Sequence, residues 1–160
     1  MRAAAFTLKG VDGATHTLDS IKGARATIIV FSCNHCPYVV KAEDALIAVG
    51  LDYRDKGVGM AAINANDSDG YPEDSFDNMV VRARDKKFPF AYLRDETQQI
   101  AKAYGATHTP QLFVFDAALK LAYTGSMDGL RPALNELVAG RPVSIPEIHA
   151  IGCTIKWKPA

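Results

Sequence analysis

Two unbroken apolar runs organise the chain, Ala26-Thr27-Ile28-Ile29-Val30-Phe31 and Val58-Gly59-Met60-Ala61-Ala62-Ile63. Continuous apolar runs of this length, rich in β-branched residues in the first case, predict strands buried on both faces. Ahead of them, Phe6-Thr7-Leu8 and Thr15-His16-Thr17-Leu18 alternate on either side of the turn residues Asp12-Gly13, which predicts a β-hairpin. Beyond the first run the rhythm changes. Val39, Val40, Ala42, Leu46, Ile47, Val49 and Leu51 recur at helical spacing from Pro37 onward, with Lys41, Glu43 and Asp44 between them. That helix opens on a proline and stops near Gly57, as helix termini favour. Asp74-Ser75 then cap a second helix through Lys87, with Phe76, Met79, Val80 and Ala83 on its apolar side. A short strand over 89–93, a helix over 97–104 closed by Gly105, paired strands over 112–115 and 120–124, and a last helix over 130–139 complete the pattern.

Strands alternating with helices at this spacing predict a three-layer α/β domain, and the late hairpin makes its sheet mixed. A chain of 160 residues holds one such domain, 1–160, and is too short for two of ordinary size. Residues 1–25 form the N-terminal hairpin extension. Residues 142–160 are expected as a tail packed on the domain, because Ile145, Ile148, Ile151, Ile155 and Trp157 are too apolar for free disorder.

Charge narrows the partners. Eighteen basic side chains balance eighteen acidic ones, so no bulk charge recruits nucleic acid or an anionic membrane. No apolar run approaches the roughly 20 residues that span a bilayer. The first residues turn polar at Lys9 without the apolar stretch of a secretion signal, so a cytoplasmic location is expected. Three cysteines in such a chain do not make a structural disulfide framework. Two of them instead form a CxxC.

That CxxC, Cys33-Asn34-His35-Cys36-Pro37, falls directly after the first buried run and at the start of the following helix. Amide donors and the macrodipole at a helix N-terminus favour a thiolate over a thiol, and two cysteines separated by two residues can close a short disulfide there. The expected chemistry is thiol–disulfide exchange, with no cofactor beyond a redox-active Cys33–Cys36 disulfide.

A strand, a CxxC and a helix, followed by Thr109-Pro110 directly before a later strand, resembles the thioredoxin superfamily. The hairpin with Phe6-Thr7-Leu8 and Asp12-Gly13, together with Ile63-Asn64-Ala65-Asn66-Asp67, is similar to its peroxiredoxin branch of thiol-specific antioxidant type. Phe31-Ser32-Cys33-Asn34-His35-Cys36-Pro37-Tyr38 and the terminal Gly152-Cys153-Thr154-Ile155-Lys156-Trp157 look like the peroxiredoxin-like proteins that carry a thioredoxin CxxC. The resemblance implies a thioredoxin-like α/β/α sandwich with a mixed central sheet. It also implies a cis Thr109-Pro110 bond facing the cysteines, with the Thr109 backbone left free to pair with an extended substrate.

On that reading Cys33 is the nucleophile and Cys36 the resolving thiol, acting on a disulfide in a protein or small molecule and recharged by a thiol reductant system. His35, between them, is expected to stabilise the Cys33 thiolate and so to lift the potential above the thioredoxin value of about −270 mV. Cys153 is either a buried small hydrophobe holding the tail, which the usual burial of free cysteine favours, or a further exchange partner. Two alternatives stand beside this. A peroxidase would need a Thr or Ser, a proline and an arginine around the attacking cysteine; Cys33 takes the place of the first, and Thr109-Pro110 stands where the arginine segment would lie. A copper or zinc carrier would use Cys33, Cys36 and a histidine such as His108 as ligands; the main reading expects no metal. Ser32 and Thr27 occupy the positions of thioredoxin's tryptophan and buried acid, which leaves the proton acceptor for Cys36 without a candidate.

Overall fold

The computed structural model describes residues 1–159. In chain order the elements are β1 (Thr7–Gly10), β2 (Thr15–Thr17), α1 (Leu18–Ile21), β3 (Ala26–Ser32), α2 (Pro37–Tyr53), β4 (Val58–Asn64), α3 (Phe76–Lys86) and β5 (Ala91–Arg94). They continue with α4 (Gln99–Tyr104), β6 (His108–Thr109), β7 (Gln111–Asp116), β8 (Leu121–Gly125), α5 (Leu130–Val138), β9 (Glu147–Ile148) and β10 (Cys153–Thr154). The sheet runs β2-β1-β5-β4-β3-β7-β8-β9. β3 pairs parallel with β4 and antiparallel with β7, so the sheet is mixed, as expected from the late hairpin.

The central position of β3 explains its composition. All seven of its residues are buried, and successive side chains feed opposite cores. Ile28 and Val30 meet Met60, Leu112 and Val114 beneath Leu46 and Val49 of α2, Met79 of α3 and Leu130 of α5. Ile29 and Phe31 meet Ile63, Leu93, Phe113 and Phe115 against Tyr104 of α4. The polar member, Thr27, accepts the Gly23 N–H at 3.0 Å, which ties down the loop ahead of the strand. It therefore anchors the backbone and does not reach the thiols.

Local signals place the helix ends. Pro37 occupies the first turn of α2, Ser75 accepts the Asn78 N–H at 3.2 Å at the start of α3, and Gly57 takes φ +81° before β4. Three readings change. Asp74 does not share the cap with Ser75; it is fully buried and points inward. Glu43, set among the polar positions of α2, is also buried and pairs with Arg82 of α3, whose Nε donates at 3.0 Å. The strand expected over 89–93 begins only at Ala91.

Gly59 in β4 is a glycine for a tertiary reason: a Cβ there would run into the Ile21 carbonyl and the Lys22 backbone. Gly59→Ala is expected to cost about 1–3 kcal/mol, because the clash is with backbone and cannot relax by rotamer change. Urea unfolding should show the midpoint fall without a change in slope.

Candidate active site

Cys33 follows the last residue of β3, and Cys36 is the residue just before α2, so both sulfurs sit at the end of the central strand. The Cys36 N–H donates to Cys33 Sγ at 3.3 Å. Thr109 faces them from the other side, joined to Pro110 by a cis peptide bond. Its Oγ1 lies 3.7 Å from Cys33 Sγ, and its carbonyl oxygen lies 3.6 Å from Cys36 Sγ. The sequence-predicted Cys33, Cys36, Thr109 and Pro110 therefore converge on one place.

The disulfide is not the Cys33–Cys36 bond expected from the CxxC. It joins Cys36 to Cys153, with their Cα atoms 6.4 Å apart, and Cys33 is a free, buried thiol. The reason is strand pairing. β10 lies antiparallel to β6, with Cys153 opposite Thr109 and Thr154 opposite His108, which delivers the third sulfur to the second. The same pairing corrects the view of Thr109 as an open edge: in this structure the protein's own tail holds it. Next to it, Tyr38, Lys41, Pro110, Met127 and Ile151 line a groove of about 300 Å³ that remains free.

The tail is fastened independently of the disulfide. Ile155 is buried in the second core, and its N–H donates to Thr107 O at 2.9 Å. The Lys156 N–H donates to Asn66 Oδ1 at 2.9 Å, and Lys156 O accepts from the Asp67 N–H at 2.8 Å and from Gln98 Nε2 at 3.0 Å. Gln98 Oε1 in turn accepts the Lys158 N–H at 3.0 Å. These contacts lay residues 155–158 against the domain.

His35 turns toward carboxylates. Its Nδ1 is 2.8 Å from Asp74 Oδ2 and its Nε2 3.9 Å from Glu73 Oε1, while the ring stacks on Tyr71 with 11° between planes. Despite this proximity, His35 Nδ1 is not aligned for a hydrogen bond to Asp74. Asp74 is also held by the Asn34 N–H at 2.7 Å, Asn64 Nδ2 at 3.1 Å and Asn66 Nδ2 at 2.9 Å. Tyr92 closes this network by donating to Asn34 Oδ1 at 2.8 Å.

The electrostatic result runs against a histidine-stabilised thiolate. Burial pushes the Cys33 thiol up, and the nearby Asp74 charge pushes it further in the same direction. The Thr109 hydroxyl and the N–H groups of Cys36 and His35 pull it down, but the first two effects win. Burial likewise holds the Tyr92 hydroxyl well above the ordinary tyrosine value, as a neutral donor.

One group of side chains could offer a metal three ligand atoms, Cys33, His35 and Asp74, all within 4.8 Å of one another. It is not the set imagined for a metal carrier. Cys36 is committed to Cys153, and His108 lies outside the group, its Nδ1 2.8 Å from Thr107 Oγ1. Sequence reasoning missed Asp74, Tyr92 and Gln98. The polar run Asn64-Ala65-Asn66-Asp67 after a fully apolar strand was the available signal, since polar residues at the C-terminal end of a buried strand often line a site.

A mixed sheet of this order, with a CxxC at the end of its central strand and a cis proline facing it, defines a thioredoxin-like fold. The model of the AhpC/TSA family matches residues 1–124, and the chain belongs to that family. An uncharacterized conserved protein from Geobacillus kaustophilus is similar over 100% of this chain and 92% of its own, at 43% identity and TM-score 0.98. A hypothetical protein from Sinorhizobium meliloti 1021 shares 34% identity over 100% of this chain and 94% of its own, with TM-score 0.97. A thiol-disulfide oxidoreductase from Bacteroides fragilis shares the fold, at 16% identity and TM-score 0.72 over 86% of this chain and 99% of its own. No curated protein matched. Among the described residues, no helix is long and apolar enough to cross a membrane.

Proposed function

We propose that the protein is a thiol–disulfide oxidoreductase in which Cys33 is the nucleophile and Cys36 the resolving thiol. One observation carries this reading: a free Cys33 thiol at the end of the central strand, with the Cys36 N–H on its sulfur and the Thr109 hydroxyl 3.7 Å away. The Cys33 thiolate attacks one sulfur of a substrate disulfide, forming a mixed disulfide and expelling the other sulfur, which takes up a proton. The Cys36 thiolate then attacks Cys33 Sγ, closing Cys33–Cys36 and releasing the reduced substrate. Two electrons have passed to the substrate, and a thiol reductant returns them. No cofactor is required, because the sulfurs carry the electrons. Burial and Asp74 set the protonation of Cys33, and Thr109 with Pro110 forms the facing wall. A cytoplasmic setting and a disulfide in a protein or small molecule fit this chemistry.

Family membership makes peroxide the second oxidant to consider. The groups on Cys33 Sγ are the Thr109 hydroxyl and the N–H groups of Cys36 and His35, with no guanidinium among them to hold a peroxide. The test is insulin reduction driven by dithiothreitol. The protein should accelerate it above the reductant alone, whereas equal rates would overturn the assignment. Peroxide consumption faster than by a free thiol would favour the second reading.

A further inference from the structure

We propose that Cys153 is a third redox residue. In the oxidised protein it takes Cys36 over from Cys33, and in doing so it seats the C-terminal strand on the Thr109 edge, closing that edge until a thiol reductant reopens it. This rests on the exchange role proposed for Cys33 and Cys36.

Four observations support it. The three sulfur-bearing side chains form one cluster over Val39, although Cys153 is 117 residues from Cys36 in sequence. β10 places Cys153 opposite Thr109, the backbone position where an extended substrate would pair, so the tail occupies the place of a substrate strand. Gly152 brings the tail into backbone contact there, because a Cβ would collide with the Thr109 carbonyl. With the tail seated, Cys33 is 1% exposed, beyond the reach of a protein disulfide.

The step balances internally. After a substrate is reduced, the protein holds a Cys33–Cys36 disulfide and a Cys153 thiol. The Cys153 thiolate attacks Cys36 Sγ; the Cys36–Cys153 bond forms, the Cys33–Cys36 bond breaks, and Cys33 leaves as a thiolate. The proton given up by Cys153 is matched by the one Cys33 takes up, and nothing is oxidised or reduced overall. Burial and the neighbouring Asp74 carboxylate then favour Cys33 as the thiol, which slows the reverse attack. The anchors at Ile155, Lys156 and Lys158 keep Cys153 within reach after reduction, so the exchange is a short local motion. Reduction of Cys36–Cys153 frees Gly152 and Cys153 to lift from the Thr109 edge while the Ile155 anchor holds.

The experiment maps disulfides in full-length protein. Reduced protein is oxidised with limiting oxidised glutathione, quenched in acid, alkylated and analysed by peptide mass. Wild type should accumulate Cys36–Cys153 with Cys33 alkylated, and Cys153→Ser should accumulate Cys33–Cys36. Gly152→Ala leaves every cysteine in place but crowds the tail off the edge. It should raise the ratio of Cys33–Cys36 to Cys36–Cys153 about tenfold. Accumulation of Cys33–Cys36 in wild type would overturn the proposal. So would a Cys36–Cys153 bond that native protein keeps in dithiothreitol, since that would make it a fixed staple. Insulin reduction by the same wild-type preparation reads the exchange role separately and does not depend on which bond the mapping finds.

Discussion

Replacing Cys33 with serine is expected to abolish acceleration of insulin reduction, leaving the rate of dithiothreitol alone. A serine hydroxyl is not ionised at working pH and cannot form a sulfur–sulfur bond, so the first step is lost outright. The Cys36→Ser variant should differ in kind. It can still form the mixed disulfide but cannot resolve it with Cys36, so a one-to-one adduct with substrate should be trapped and seen by mass. If Cys33→Ser keeps wild-type activity, Cys33 is not the nucleophile.

The pH dependence of wild type follows from the surroundings of that thiol. Burial and the Asp74 charge place Cys33 above the ordinary cysteine value, so at neutral pH the thiolate is the minority form. The alkylation rate of Cys33 should therefore rise about tenfold per pH unit through the neutral range and keep rising where an ordinary cysteine has levelled off. A plateau below the ordinary value would mean that His35 dominates Cys33 after all.

Substitution of Asp74 is the second large effect, and it separates stability from reactivity. Asp74→Ala would leave the Asn34 N–H, Asn64 Nδ2 and Asn66 Nδ2 without their buried acceptor. Orphaning such donors costs about 1–3 kcal/mol each before any water enters, so a net loss of about 3 kcal/mol is expected. For a chain of this size that corresponds to a fall in Tm of about 6–12 °C, measurable by calorimetry. Asp74→Asn keeps an acceptor and removes the charge. It should cost less stability and lower the pH midpoint of Cys33 alkylation, because the raising influence of the carboxylate is gone while burial remains. An unchanged midpoint would remove Asp74 from control of the thiol, whatever happened to stability.

Much of the scaffold was legible because it is written in local patterns. β3 and β4 appear as apolar runs since both faces of a central strand are covered. α2 opens where Pro37 fits a first helical turn and ends where Gly57 can take a positive φ. Glu43 and Asp74 were not legible. A buried carboxylate looks like any polar position until its partner is known, and Arg82 and Asn64 come from elements whose distance in space the chain does not display. Asp74 was also masked by a competing local signal, since an Asp-Ser pair ahead of an apolar run reads as a helix cap.

The sequence by itself determined the order and type of the main elements and the reactive junction at Cys33-Asn34-His35-Cys36-Pro37, because periodicity, capping and a fixed cysteine spacing act over a few residues; the thioredoxin-like class came from the resemblance carried by the CxxC and Thr109-Pro110. Only the tertiary structure decided which sulfurs are bonded, which group faces His35, and what covers the Thr109 edge. Those outcomes depend on β10 crossing to β6 and on a loop folding Asp74 inward beneath the CxxC. Contacts between segments that meet only in the fold leave no local periodicity, so Cys153 could be counted in the sequence but not placed.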